Sequence, residues 1–179
     1  MPVQYEGIRA EHVAVRTAAG VFDVSHMGQI VTGGPQAERY LQRLLSNDVT
    51  KIAERGAQYS VLCREDGGVL DDLFTYRLDG DRFLTVTNAA NHEKDLAWFL
   101  DHADGFDVEV HDARDDWAML AVQGPSARAS GPCTASIAQS SSRSSTRTSK
   151  PVACSLIQPK SFWWLAAFVT VRNRSPSNR

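Results

Sequence analysis

Apolar and polar positions alternate in the middle of the chain, and this pattern predicts three consecutive β-strands. The strands cover Gln58–Cys63, Val69–Leu78 and Arg82–Asn88, and all three are rich in β-branched, aromatic or leucine residues. The connections, residues 65–68 and 79–81, hold the acidic and glycine residues of tight turns. We therefore expect an antiparallel meander.

The flanking segments predict three helices and four more strands. Helical composition, or apolar side chains spaced three to four residues apart, occurs at residues 7–19 before Gly20, in a segment that starts at Pro35, and from a capping Asn91 to about His102. The apolar stripes of the last two helices are Tyr40, Leu41, Leu44 and Leu45, and Leu96, Phe99 and Leu100. Short β-like runs occupy residues 21–24, 29–32, 106–110 and 117–122. The fold class expected is α+β, with mostly antiparallel sheets and flanking helices.

The charge pattern divides the chain near Ala129. All 21 acidic residues lie between Glu6 and Asp116, and residues 130–179 contain none but carry seven basic ones. Residues 136–149 are serine-rich and of low complexity, which is typical of segments that cannot form a packed core. We expect a folded domain at 1–129 and a disordered or non-native tail at 130–179, such as a segment translated in a shifted reading frame. The alternative for the tail is a basic arm that binds nucleic acid or a membrane surface.

Several classes of protein are not favoured. Three cysteines without a CxxC pair argue against a disulfide framework or a zinc site, so no metal is expected. The amino terminus has no secretory-signal pattern, and the longest apolar run, Phe162–Val169, is about half of what a membrane span needs. A cytoplasmic protein without a membrane or nucleic-acid partner is the expectation.

The second strand of the meander carries the most informative polar residue. One of its faces would hold Leu70, Asp72, Phe74, Tyr76 and Leu78. If this face packs on the core, Asp72 is a carboxylate among apolar side chains, where it needs a local partner or a ligand. Asn88 ends an apolar row on the third strand and Tyr59 lies on the first, so the three could line a pocket for a flat, nitrogen-rich ligand. Equally, Asp72 could cap the turn at 67–68 and Asn88 the following loop.

Six separate runs resemble one known family, in matching order and spacing. They are GVFDVSHMG (20–28), LLSNDV (44–49), AQYSVLC (57–63), GGVLDDL (67–73), NAANHEKD (88–95) and AVQGP (121–125). Together they are similar to the amino-terminal part of the glycine-cleavage T-protein, the folate-dependent aminomethyltransferase. The resemblance covers residues 5–128 and implies the folate-binding domain of that protein.

The resemblance also implies a reaction and its partners. The family transfers the methylene carbon of an aminomethyl group, carried on the lipoyl arm of the H-protein, to tetrahydrofolate and releases ammonia. The second aspartate of its GG-x-x-DD motif, here Asp72, faces the reacting folate nitrogens and assists proton movement. Met27, Tyr59 and Asn88 match further positions that line the folate pocket.

Family members are about twice this long, and their later domains complete the pocket, so the resemblance also implies an impaired enzyme. Two other folate-binding groups have related domains: iron–sulfur-assembly proteins, and the folate domains of sarcosine or dimethylglycine dehydrogenases. A non-enzymatic interaction module is the remaining alternative. The GGVLDDL and SHMG runs favour the transferase.

Overall fold

A computed structural model describes residues 4–127 and the backbone of residues 167–172. The helices are α1 (Ile8–Thr17), α2 (Ala37–Leu44) and α3 (His92–Asp101), with one 3₁₀ turn at Val49–Lys51. The strands are β1 (Gly20–Asp23), β2 (Gly28–Gly33), β3 (Ala57–Cys63), β4 (Val69–Asp79), β5 (Arg82–Thr87), β6 (Glu109–Asp112), β7 (Trp117–Gln123) and β8 (Ala167–Arg172). The expected α+β class is confirmed.

Two antiparallel sheets organise these elements. The larger has the strand order β3-β4-β5-β2-β6, and the smaller has the order β1-β7-β8. The strands β3, β4 and β5 are neighbours in the larger sheet, so the predicted meander is confirmed. The short connections, whose Gly67 and Gly80 have positive φ, suit tight turns between antiparallel strands.

One face of the larger sheet packs on helices α2 and α3. The predicted stripe of α2 is fully or almost fully buried in this core, which also contains Ile30, Leu73, Phe83 and Phe99. The hydroxyl of Tyr40 donates to the carbonyl oxygen of Phe99 at 2.5 Å and so joins α2 to α3 inside it. Leu100, expected in the apolar face of α3, is 50% exposed, so that part of the prediction is wrong.

Along the strands, the residues that alternate with those of the helix-side core point to the opposite face of the sheet and form a second cluster there. Tyr76, Leu84, Val86 and Val31 are buried there together with Met119 of β7. Both faces of the larger sheet therefore carry apolar side chains, and an apolar row along one strand does not by itself identify the helix-covered face.

Some boundaries differ from the prediction. Pro35 precedes α2, whose N-cap residue is Gln36, instead of being its first helical residue. The sixth strand begins three residues later than expected, at Glu109. Gly20 opens β1, and α1 already ends at the cap residue Ala18.

Most of the predicted tail, residues 130–179, lies outside the described residues. Its described part, Ala167–Arg172, pairs along β7 from Trp117↔Arg172 to Val122↔Ala167. Whether the tail is native stays a prediction. Within the described part of the chain, no helix has the length and apolar character needed to cross a membrane.

Candidate active site

Asp72 lies on the face of the larger sheet that carries the second cluster. Its strand, β4, is the centre of the meander, with Tyr59 of β3 on one side and Asn88 just beyond β5 on the other. The Tyr59 hydroxyl donates to Asp72 Oδ2 at 3.2 Å, and Asn88 Nδ2 lies 3.2 Å from Asp72 Oδ1. The structure thus brings together the carboxylate, the phenol and the amide that the sequence singles out.

The expected burial of Asp72 is wrong. Asp72 is exposed, and its neighbour Asp71 is the aspartate that faces the helix-covered core, at 4% exposure. Asp72 shares the opposite face with Phe74 and Tyr76, as the alternation predicts, but that face is not the one that α2 and α3 cover. A β-bulge precedes the two aspartates: Leu62 pairs with Asp71 but Cys63 pairs with Val69, so Leu70 is an extra residue. Leu70 consequently packs against the helix-side core, and the apolar row that seemed to include Asp72 belongs to two faces.

Aromatic side chains border Asp72. The rings of Tyr59 and Phe74 are 5.2 Å apart between centroids and tilted by 59°. Tyr59 is 48% exposed, so its ring face is open to a ligand. Partial burial, followed by the hydrogen bond to Asp72 and the nearby carboxylate charges, raises the pKa of the Tyr59 hydroxyl. It therefore remains a neutral hydrogen-bond donor at neutral pH.

Met27 reaches the same sheet face from a turn. The backbone N–H of Met27 donates to the Val24 carbonyl at 3.1 Å, which closes a turn over Ser25 and His26. Gly28 then pairs with Thr87, so Met27 and Asn88 flank one register pair of neighbouring strands. Met27 packs against the second cluster, as Phe74 also does, so a thioether and an aromatic ring border the same cluster.

The polar network behind Asn88 was not predicted from the sequence. Asp71 accepts hydrogen bonds from the backbone N–H of Asn88 at 3.0 Å and from its side-chain amide at 2.9 Å. Asn91 is the N-cap residue of α3, as expected, but its side chain makes no capping hydrogen bond and instead donates to Asp71 Oδ1 at 2.7 Å. The adjacent acidic pair in GGVLDDL and the two asparagines in NAANHEKD were the available signals.

The alternative roles as local caps are wrong. Asp66, not Asp72, accepts from the N–H of Gly68, at 2.8 Å. The side chain of Asn88 donates to Asp71 and Asp72 on the neighbouring strand instead of to the loop that follows it. Both residues therefore take part in contacts across strands, as a binding site requires.

The histidines divide between surface and core. His26 is exposed in the turn before Met27. His92 is buried, with Nδ1 3.1 Å from the Thr87 hydroxyl and Nε2 3.3 Å from Asp112 Oδ1. Within residues 4–127 no group of three or more histidine, cysteine or acidic residues is arranged to hold a metal ion.

The site combines an acceptor-rich centre with an apolar border. Asp72 offers an exposed carboxylate, and the Asn88 amide has its NH₂ group turned toward the protein, which leaves the amide oxygen for a ligand. Tyr59, Phe74 and Met27 supply aromatic and thioether surface. These groups suit a flat molecule with several N–H donors along its edge.

Comparison with known proteins identifies the domain. Residues 1–142 match the GCVT N-terminal domain family, so the match extends past Ala129. The aminomethyltransferase of Rubrobacter xylanophilus is 58% identical over 127 residues, and that of Staphylococcus carnosus is 49% identical over 128. These alignments cover 71% and 72% of this chain.

A solved structure agrees. The crystal structure of glycine cleavage system aminomethyltransferase T from Bartonella henselae superposes with a TM-score of 0.66 at 39% identity, over 72% of this chain and 36% of that one. The chain spans about a third of the length of the curated relatives it matches (34% and 35%). By family match, sequence identity and fold, the chain belongs to the GCVT N-terminal domain family.

Proposed function

We propose that this domain binds tetrahydrofolate and takes part in aminomethyl transfer in glycine cleavage. The transfer moves the methylene carbon from an aminomethyl group, carried on the lipoyl arm of an H-protein, to the folate and releases ammonia. The observation that carries the proposal is the exposed Asp72 carboxylate, held between the Tyr59 hydroxyl and the Asn88 amide. The curated relatives named aminomethyltransferase support it.

The bonds and protons that change in the reaction define the role of Asp72. The carbon breaks its bonds to the lipoyl sulfur and to the amino nitrogen and gains bonds to two folate nitrogens. Each folate nitrogen loses one proton, and these protons end on the thiol and on ammonia. An exposed carboxylate beside the folate nitrogens accepts hydrogen bonds from them, favours positive charge on the transferred group, and can relay a proton.

The other residues bind and orient. Tyr59 donates to Asp72 and so keeps the carboxylate in one orientation beneath the ligand. Asn88 presents its amide oxygen to an N–H of the pterin edge, and Tyr59, Phe74 and Met27 pack on its flat surface. Because Asp72 and Tyr59 are exposed, water competes for the same groups, and we expect the 179-residue chain alone to bind and react weakly.

The test compares Asp72→Asn with Asp104→Asn, a matched change at an exposed aspartate in the loop between α3 and β6. Tetrahydrofolate binding is measured by calorimetry, and ammonia release is measured with aminomethyl-loaded H-protein. We expect Asp72→Asn to lower transfer by about 100-fold or more, the usual contribution of a positioned acid–base group, while Asp104→Asn changes neither quantity. Equal activities of the two variants, or no folate binding by the unmodified chain, would contradict the proposal.

A further inference from the structure

A buried pair of carboxyl groups lies directly behind the candidate site. Asp71 is on β4 and Asp95 is on α3, at 4% and 0% exposure, and Asn91 contacts both: its side chain donates to Asp71 Oδ1 at 2.7 Å and its carbonyl accepts from the Asp95 N–H at 2.9 Å. Each carboxyl group is among the groups that shift the pKa of the other. Asp71 immediately precedes Asp72 in the strand, so the two aspartates of the DD pair project to opposite faces of the sheet. The proposed function uses Asp72 and leaves the buried pair without a role.

The two members of the pair have different surroundings. Asp71 accepts three hydrogen bonds, from the backbone and side chain of Asn88 and from Asn91. Neither oxygen of Asp95 receives a donor from the described residues. The nearest cation, Lys94 on the same helix, lies 4.0 Å from Asp95 Oδ1 and donates to the Leu70 carbonyl at 2.6 Å.

A single proton shared by Asp71 and Asp95 would remove the repulsion between the two carboxylates and give Asp95 a hydrogen-bond partner. Two ionised carboxylates side by side in a buried position repel each other, and an ionised Asp95 without donors is costly. A proton on Asp95 turns it into a donor to Asp71. Burial, and next the proximity of Asp71, raises the pKa of Asp95 to about 7. Burial alone would raise the pKa of Asp71 as well, but its hydrogen bonds with Asn88, Asp95 and Asn91 lower it below the ordinary value.

The pair determines which way the Asn88 amide points. Asn88 Nδ2 has three oxygen acceptors on β4: Asp71 Oδ1 (2.9 Å), the Asp72 carbonyl (3.1 Å) and Asp72 Oδ1 (3.2 Å). A flipped amide would place its oxygen against these oxygens. The Asn88 oxygen is therefore directed to the ligand side as long as Asp71 keeps its charge and its position.

We propose that Asp71 and Asp95 share one proton and act as positioning residues for Asn88, so that its amide oxygen and the Asp72 carboxylate both face the ligand. Asp95 supplies the donor that holds Asp71, and Asp71 holds the amides of Asn88 and Asn91. The part of this inference that concerns a ligand rests on the proposed function. The shared proton and the fixed amide are properties of the ligand-free protein.

The ligand-free protein is tested by NMR on the full chain. Side-chain carboxyl shifts are followed against pH, and exchange of the Asn88 NH₂ protons is measured in Asp95→Asn and Asp95→Ala. Asparagine retains a donor to Asp71 and imitates the protonated Asp95, whereas alanine removes the donor. We expect Asp95 to titrate close to neutral pH, Asp95→Ala to accelerate Asn88 exchange about tenfold, and Asp95→Asn to remain within about twofold of the original.

Two results would overturn the inference. One is titration of Asp95 in the ordinary acidic range, a measurement that needs no variant to fold. The other is Asn88 exchange that is the same in all three proteins.

Folate binding then separates this inference from the proposed function. Asp95→Ala should weaken tetrahydrofolate binding about tenfold, and Asp95→Asn should restore it, which a loss of packing alone would not produce. If the unmodified chain binds folate and all variants bind equally, the positioning role is refuted and the proposed function stands. If the unmodified chain does not bind, the proposed function fails, and the NMR results alone decide on the shared proton.

Discussion

Gly28 is a position where a single added methyl group should be strongly damaging. It opens β2, is buried, and pairs with Thr87 of β5. A Cβ at Gly28 would lie 2.6 Å from Cγ of His92 and closer still to His92 Nδ1 and the Thr87 hydroxyl. We therefore expect Gly28→Ala to force apart the ends of β2, β5 and α3.

The obstruction cannot move away easily. His92 is 1% exposed, and its Nδ1 is 3.1 Å from the Thr87 hydroxyl, while Nε2 lies 3.3 Å from Asp112 Oδ1 without a hydrogen bond. Overpacking a core costs about 1–3 kcal/mol. Breaking the buried Thr87–His92 hydrogen bond adds a similar amount, so the free energy of unfolding should fall by about 2–6 kcal/mol.

The same strand supplies the control. At Gly33, also in β2, a Cβ would meet its nearest neighbour, Cγ of Arg82, only at 4.0 Å. Gly33→Ala should leave stability unchanged or raise it by up to about 1 kcal/mol, because alanine restricts the unfolded chain. Urea unfolding followed by circular dichroism measures both variants.

A difference of less than about 0.5 kcal/mol between the two variants would refute the packing argument. A double-mutant cycle adds detail: in a His92→Ala background the cost of Gly28→Ala should shrink but not vanish, because the Thr87 hydroxyl remains. Since Met27 directly precedes Gly28, the same displacement should also disturb the thioether side of the candidate site.

Two more predictions concern buried polar groups. Tyr40→Phe should lower the free energy of unfolding by about 1–3 kcal/mol, because the Phe99 carbonyl loses its buried donor, whereas Tyr5→Phe at a 77% exposed side chain should have no measurable effect in the same urea titration. Stability should fall as pH rises from 3.8 to about 7, by about 4 kcal/mol at most, since the folded protein keeps the Asp95 proton over this range and the unfolded chain does not. Asp95→Asn should remove most of this fall in the free energy of unfolding between pH 3.8 and about 7. An unchanged pH dependence would contradict the assignment of the proton to Asp95. The lowered pKa of Asp71 acts oppositely, with stability lost as pH falls below its ordinary range, so the maximum should lie on the acid side of neutral.

The sequence predicts the meander well because each strand carries its own signal. Alternation over Val69–Leu78 and the glycine-containing turns on either side are local features, and local features define antiparallel neighbours. The stripe of α2 is equally local, and all four of its residues are buried. The contribution of α2 to the helix-side core could therefore be predicted from spacing alone.

The burial of Asp72 could not be predicted in this way. Alternation identifies two faces of β4 but not which of them α2 and α3 cover, since both faces carry apolar residues. The bulge at Leu70 also moves the residue next to the DD pair to the other face. The burial of Asp71 depends on amide donors from Asn88 and Asn91, 17 and 20 residues away in sequence. Contacts at that separation are set by the tertiary arrangement, and a single sequence holds no local sign of them.

The adjacent aspartates couple the core to the site through one strand. A side chain at the candidate site has to be held within narrow limits, yet among residues 4–127 the exposed face offers Asp72 only the Tyr59 hydroxyl and the Asn88 amide. The opposite face of the same strand has a rigid environment, where Asp71 is enclosed by three amide hydrogen bonds. Because Asn88 contacts both aspartates, any change that loosens Asp71 should alter Asn88 and Asp72 together. A substitution in the core can therefore act on the site without touching a ligand, and Asp95, on α3 and fully buried, is the residue where this coupling is most directly open to measurement.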